Sequence, residues 1–162
     1  MHDMHWTDFE AAAPELAAAG RERLVATHVA LLGTLRADGS PRISPIEPYL
    51  VRRDLIFGVM KSAKAADLAR DPRCAVHSAV SKPDGSEGEF KLFGKAVEVM
   101  DQELRSAEPE AWWMSFHPES AVVYRLDIES ALFLRWNWDE STFETLSMLE
   151  GAGFEKRVRR YP

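Results

Sequence analysis

Cysteine is nearly absent: Cys74 is the one thiol among 162 residues. No intrachain disulfide can form, and a zinc site built on cysteines is excluded. Cys74 opens an apolar run after Pro72-Arg73, so it is expected to be a buried, inert thiol. Long hydrophobic runs are missing too. Nothing approaches the roughly 20 apolar residues that cross a bilayer, so no membrane partner is expected. The first residues carry His2, Asp3, His5 and Asp8 and no apolar signal core. Together with the single thiol, this predicts a reducing, cytoplasmic setting. An excess of positive charge is also lacking, the net charge being −6. That argues against non-specific nucleic-acid binding.

Several chemistries lack their motifs. There is no nucleophile elbow, Walker loop, zinc-protease helix or glycine-rich dinucleotide fingerprint. Gly33-Thr34 and Gly94-Lys95 fall in strand contexts and do not make a phosphate loop. Hydrolase and NTPase classes fall for want of residues. His28, His77 and His117 are scattered over three elements, and His2 and His5 have no further ligands near them, so no metal is expected. His77 reads as a neutral, hydrogen-bonded strand histidine.

What remains is an ordinary globular composition, 46% hydrophobic and 28% charged. The length fits one domain over 1–162. Residues 1–27 form a helical segment, with Thr7 or Asp8 as first cap and a second helix from Pro14 to about Val25. Leu16, Ala19, Arg23 and Ala26 lie near one face of that helix. Strand signals follow at 28–36, 42–51, 55–60, 73–80 and 90–100, the first continuous enough to be buried on both faces. Asp38-Gly39 marks a hairpin turn. Pro41, Pro45 and Pro48 imply an edge or bulged strand, and Gly94 a bulge. A short helix at 63–69 starts at Ser62, and a longer one spans 101–113 with Asp101 as its cap. Strands at 121–128, 132–138, 142–149 and 154–161 complete the chain. Nine short strands with two or three helices predict a mainly β chain, a β-barrel with a few helices, closed or partly split. Its parts are a barrel core at 28–100, a helix within 101–118 and closing strands over 119–162.

Within the core, one group of residues suits a phosphate monoester. Arg42 and Ser44 share a strand face by parity. Arg offers a planar fork of donors, Lys a mobile point charge. Ser62 sits at a helix start, where free N–H groups and the helix dipole favour an anion, with Lys61 before it and Lys64 two residues on.

The order and spacing of these segments resemble the pyridoxamine 5′-phosphate oxidase-like FMN-binding split-barrel family. Leu35 to Pro45 looks like its first hairpin. Phe57 to Leu68, with Ser62-Ala63-Lys64, looks like its strand–loop–helix, and Asp71-Pro72-Arg73 like the exit into the next strand. Phe90 to Val99 resembles the long central strand. The likeness covers 30–100 well and the final hairpin poorly. It implies a split β-barrel and FMN as cofactor, with the phosphate on Arg42, Ser62 and Lys64, assisted by Lys61. Ser44 and the backbone of 57–60, ending at Met60, would line the ribityl chain and ring. It also implies a homodimer with the flavin between subunits, and Glu89 at the pyrimidine edge across that interface. A carboxylate there accepts from N3–H but cannot donate.

The chain departs from the family pattern at several points. Ala63 stands where a second phosphate-gripping arginine is expected, and Glu47 where a lysine is. Leu149 precedes Glu150-Gly151 where a tryptophan is expected, and Glu155 replaces an arginine that would hold a substrate phosphate. An anion there repels a phosphorylated pyridoxamine. The implied activity is therefore that of a relative of the oxidase: a flavin-dependent oxidoreductase acting on a small molecule, with no catalytic side chain named. One rival is the deazaflavin F420 in the same cleft, its acidic tail served by Lys156 to Arg160, otherwise read as a solvated strand end. Others are a non-enzymatic flavin or haem carrier and an orphan barrel with a vestigial cleft. Trp112, Trp113, Trp136 and Trp138 read as core or interface anchors in preference to rings stacked on a flavin or deazaflavin, the last two sharing a strand face.

Overall fold

The computed structural model describes residues 3–149 and 151–161; His2 and Glu150 lie outside them. Two helices, α1 (Trp6–Ala12) and α2 (Pro14–Thr27), precede the first five strands: β1 (Ala30–Leu35), β2 (Pro41–Ile46), β3 (Pro48–Val51), β4 (Asp54–Met60) and, after helix α3 (Ala63–Arg70), β5 (Arg73–Ser78). There follow β6 (Glu89–Glu98), helix α4 (Gln102–Arg105), two 3₁₀ turns (Trp112–Ser115 and Pro118–Ser120), β7 (Ala121–Asn137), β8 (Thr142–Leu149) and β9 (Gly153–Arg160). The strands form one antiparallel sheet in the order β2-β1-β5-β6-β7-β4-β3, with the β8–β9 hairpin added to β7.

The two ends of that path, β2 and β3, are consecutive in the chain and separated by Glu47 alone. The sheet therefore curls until its ends meet through a covalent link, with no hydrogen-bonded ladder between them. Pro45 and Pro48 flank the link and cannot donate to a ladder. This is the physical origin of the split, and it corrects the expectation of one return strand over 42–51.

β7 carries the other correction. The two strands expected at 121–128 and 132–138 are one strand of 17 residues. Its first part pairs with β4 and its last part with β8, while β6 runs along its other edge. The polar Glu129-Ser130 step, which reads as a turn, is where the β6 register shifts between Phe93 and Gly94. A Cβ on Gly94 would lie 1.9 Å from the Asp127 carbonyl oxygen, so the close approach requires glycine.

Other expectations shift locally. The first cap is His5, whose N–H donates to Asp8 Oδ2 at 3.1 Å. His28 ends α2 in a left-handed conformation, so the first strand begins at Ala30. That strand alternates between buried and more exposed positions and is not buried on both faces. α2 runs unbroken through Gly20 and buries Leu16, Ala17, Gly20, Arg23 and Leu24, leaving Ala26 exposed. The helix expected at 101–113 stops at Arg105; Pro109 has no N–H for a helix and disfavours helical backbone at Glu108. Asp101 does cap it, accepting from Glu103 N at 2.8 Å. Cys74 is buried as expected, and burial pushes its thiol up to about 12.

The core sits between the curled sheet and the N-terminal helices. Trp6 and Phe9 of α1 meet Phe90 of β6, with Leu16, Leu32, Phe57, Leu92 and Leu126 around them, all at most 2% exposed. Arg23 of α2 reaches the loop at 79–88, donating to Ala79 O at 3.0 Å and pairing with Glu87 at 3.3 Å. Glu87 accepts from Lys82 N and from the Ser81 hydroxyl and N–H, and these bonds hold its carboxyl down to about 2 from 4.5. A folded-state pKa below the unfolded value gives stability that is present above pH 4.5 and lost as pH falls toward 2. The thermal midpoint is therefore expected to drop across that window. Glu87→Gln is expected to flatten the drop in a pH series of melting curves.

Candidate functional site

β4 is buried along its length until Met60, which is 52% exposed. The chain then turns through Lys61, whose N–H donates to Ser120 O, and enters α3 with Ser62 as an extended N-cap. The Ser62 hydroxyl makes no capping bond, so the helix start keeps its free donors. Lys64, half-buried in the first turn, reaches back to β2 and donates to Pro45 O at 3.4 Å. Among the described residues no carboxylate pairs with it, and burial lowers the pKa of its ammonium. A partly desolvated cation beside a helix N-terminus is a site for an anion.

These groups border a cavity of about 410 Å³ lined by Val29, Pro45, Ile46 and Glu47, by Gly58 and Met60 of β4, by Ser62 and Lys64, and by Trp112. Most of this wall is apolar, as ligand sites are. A Cβ on Gly58 would meet the Trp113 ring at 2.3 Å. The missing side chain thus lets Trp113 sit against β4, 4% exposed, where it holds Trp112 edge-on at 6.0 Å. Gly58 in this way places an indole at the cavity wall.

The residues singled out in the sequence divide into groups. Met60, Ser62 and Lys64 line this one cavity. Arg42 and Ser44 share the row of β2 that includes buried Ile46, and the cross-strand partners Thr34, Leu32 and Ala30 are buried, so the row faces inward. Neither Arg42 nor Ser44 is among the cavity-lining residues. Arg42 Nε donates to Asp67 Oδ2 of α3 at 2.6 Å, and Thr34 Oγ1 donates to the same oxygen at 3.1 Å. The bond from Arg42, with help from Thr34, holds the Asp67 carboxyl below its usual range. Arg42 therefore ties β2 to the helix that carries Lys64, through its Nε. Lys61 is exposed.

Glu89 lies elsewhere, bonded to Lys91 at 2.6 Å and within 3.4 Å of His77 Nε2. His77 Nδ1 lies 2.7 Å from Ser78 O, so the ring is partnered as expected of a strand histidine. Glu89 borders a second cavity, of about 430 Å³, with Val80, Leu134, Trp136 and Trp138. The two indoles stack there at 5.2 Å and 13°. Trp113 is core, as expected, whereas Trp112 reaches the Lys64 cavity.

The sequence alone does not single out Val29 or Ile46 as site residues, whereas Gly58 falls within the backbone run 57–60 expected to line the ring, and Trp112 is among the indoles weighed for stacking on it. Val29 and Ile46 carry no signal beyond strand pattern, and Trp112 reaches the wall because its sequence neighbour Trp113 packs against Gly58 of the distant β4. Among the described residues no cluster of His, Cys, Asp and Glu could hold a metal ion, and no helix is long and apolar enough to cross a membrane.

No protein-family model matches the chain, and no curated protein matches it. Solved structures do. PhzG from Burkholderia lata 383, in complex with tetrahydrophenazine-1-carboxylic acid, superposes with a TM-score of 0.62 at 17% identity over 93% of both chains. A pyridoxamine 5′-phosphate oxidase-related, FMN-binding protein from Nostoc punctiforme gives 0.61 at 13% identity, covering 91% of this chain and 96% of its own. A haem-binding protein from Mycobacterium smegmatis gives 0.56 at 20% identity, over 87% of this chain and 57% of its own. With its nine-stranded antiparallel sheet and uncoupled β2–β3 seam, the chain has the split-barrel fold of the pyridoxamine 5′-phosphate oxidase-like FMN-binding proteins.

Proposed function

We propose that the protein binds FMN in the Lys64 cavity and serves as a flavin-dependent oxidoreductase on a small molecule. The observation that carries this is Lys64: a half-buried ammonium at the head of α3, with no carboxylate partner among the described residues, at the edge of a largely apolar cavity. Lys64 and the Ser62 hydroxyl would hold the phosphate, and Arg42 would fix the helix that presents them. Ile46, Gly58 and Met60 would border the ring, and Trp112 would keep water from it. FMN would supply the electron transfer, and the chain orientation and polarity.

A homodimer belongs to this reading. Ile43, Gly33, Ala75 and Phe93 are successive cross-strand partners and lie in one row on the outer face of the sheet. Ile43 is 69% and Phe93 42% exposed, and Leu31 and Pro45 extend the apolar strip in the next row. Covering this strip with a second copy would remove it from water. It would also bring the outer-face Glu89 of one copy toward the other, as a shared flavin site requires.

FMN is favoured over F420 because much of the basic end is already neutralised. Lys156 pairs with Glu15 and Glu144, and Arg157 with Glu155. Parallel titrations with FMN and F420, followed by visible absorption, test the reading. FMN is expected to bind at least ~10-fold more tightly. Binding of F420 alone would move the protein to deazaflavin chemistry, and binding of neither would remove the reading.

A further inference from the structure

We propose that the substrate taken by the Lys64 cavity is an organic cation, a protonated amine on an apolar or aromatic body, bound by Glu47 and Trp112. The inference rests on that cavity being the functional site, as argued above, and it names the class of molecule the site selects.

Glu47 occupies the seam of the barrel, the single residue between β2 and β3. It is half-buried and lines the cavity beside Val29, Ile46, Met60 and Trp112. Several other partly buried carboxylates of the chain have cations: Asp67 has Arg42, Glu87 has Arg23, Glu89 has Lys91, and Glu144 has Arg135 and Lys156. Among the described residues no cation pairs with Glu47. A carboxylate in an apolar wall without a counter-charge is poorly compensated, and a ligand cation relieves it.

The carboxylate is also oriented. Tyr49 OH donates to Glu47 Oε2 at 3.1 Å. The tyrosine ring is fixed edge-on against Trp113, centroids 5.4 Å apart at 89°. Burial, reinforced by Glu47, pushes the phenol up to about 12, so it stays a donor at neutral pH. With Oε2 held by Tyr49, Oε1 remains for a ligand N–H. Trp112 borders the same cavity, held by Trp113 and, at 5.7 Å, by Phe116. An indole beside a carboxylate is a pairing that favours ammonium groups over anions. Lys64 answers the opposite charge, so the cavity has one group for a phosphate and another for a cation.

The test uses two probes of similar shape and opposite charge, phenethylamine and hydrocinnamate, titrated by calorimetry into the full chain saturated with FMN, so that Lys64 is already occupied by the phosphate. The amine is expected to bind at least ~10-fold more tightly than the acid, and Glu47→Gln to abolish that preference. Wild-type protein that takes the acid as well as the amine overturns the inference, whatever the variant does. A Glu47→Gln protein that keeps the preference overturns the role of Glu47. FMN affinity is read on the same samples, so failure of the cofactor reading shows separately, as absent FMN binding in the wild type.

Discussion

Lys64→Ala is expected to weaken FMN binding by about 10- to 100-fold while leaving the weaker binding of riboflavin, which has no phosphate, nearly unchanged. The charge-assisted bonds from an ammonium to a phosphate are the strongest that this cavity offers, and among the described residues Lys64 has no ion pair to lose. Among the described residues its side chain bonds to the Pro45 carbonyl alone, so the variant is expected to fold with a nearly unchanged melting temperature. Arg42→Ala is a poorer probe. It would strip the Asp67 carboxylate, 3% exposed, of the bond that does most to hold it ionised, and so would lower stability as well as affinity. Comparing the two variants separates the residue that binds from the residue that positions. Equal losses of FMN and riboflavin on Lys64→Ala would mean that the lysine shapes the cavity and does not grip a phosphate.

The largest effect on the fold is expected at Gly94. Replacing it by alanine would set a Cβ 1.9 Å from the Asp127 carbonyl, and backbone on both strands would have to move. The position lies where β6 shifts register along β7, so movement there disturbs the strand that joins the β4 side of the barrel to the closing hairpin. A loss of about 3 kcal/mol or more is expected in denaturant unfolding. Gly33→Ala is the control in the same sheet, because its nearest neighbours would lie 3.8 Å away. It is expected to change stability by less than about 1 kcal/mol. Equal behaviour of the two variants would contradict the assignment of the Phe93/Gly94 irregularity as a tight bulge.

What the sequence disclosed follows how local each feature is. Asp38-Gly39, Gly94 and the Ser62 cap are read from a few neighbouring residues, and the structure places a hairpin, a bulge and a helix start there. Ser62 and Lys64 lie one helical turn apart at most, and they meet the same cavity. Features that depend on distant contacts were not legible. The sequence does not show that Arg42 also bonds Asp67, 25 residues on, through its Nε. β7 reads as two strands because Glu129-Ser130 has turn composition, and only pairing with β6 on one edge and β4 and β8 on the other reveals its continuity. Pro45 and Pro48 signalled an edge correctly, but not that the edge divides between two strands. Glu47 stood out only as a departure from a family pattern; its cavity and its tyrosine partner are tertiary facts.

The central claim is that the Lys64 cavity holds the phosphate of FMN. It is tested most directly by the affinities of the wild-type chain for FMN and riboflavin, measured side by side by quenching of flavin fluorescence. The account predicts saturable binding of both, with FMN at least ~10-fold tighter and the advantage lost in Lys64→Ala. Equal affinity for the two, or an FMN advantage that survives Lys64→Ala, would contradict it.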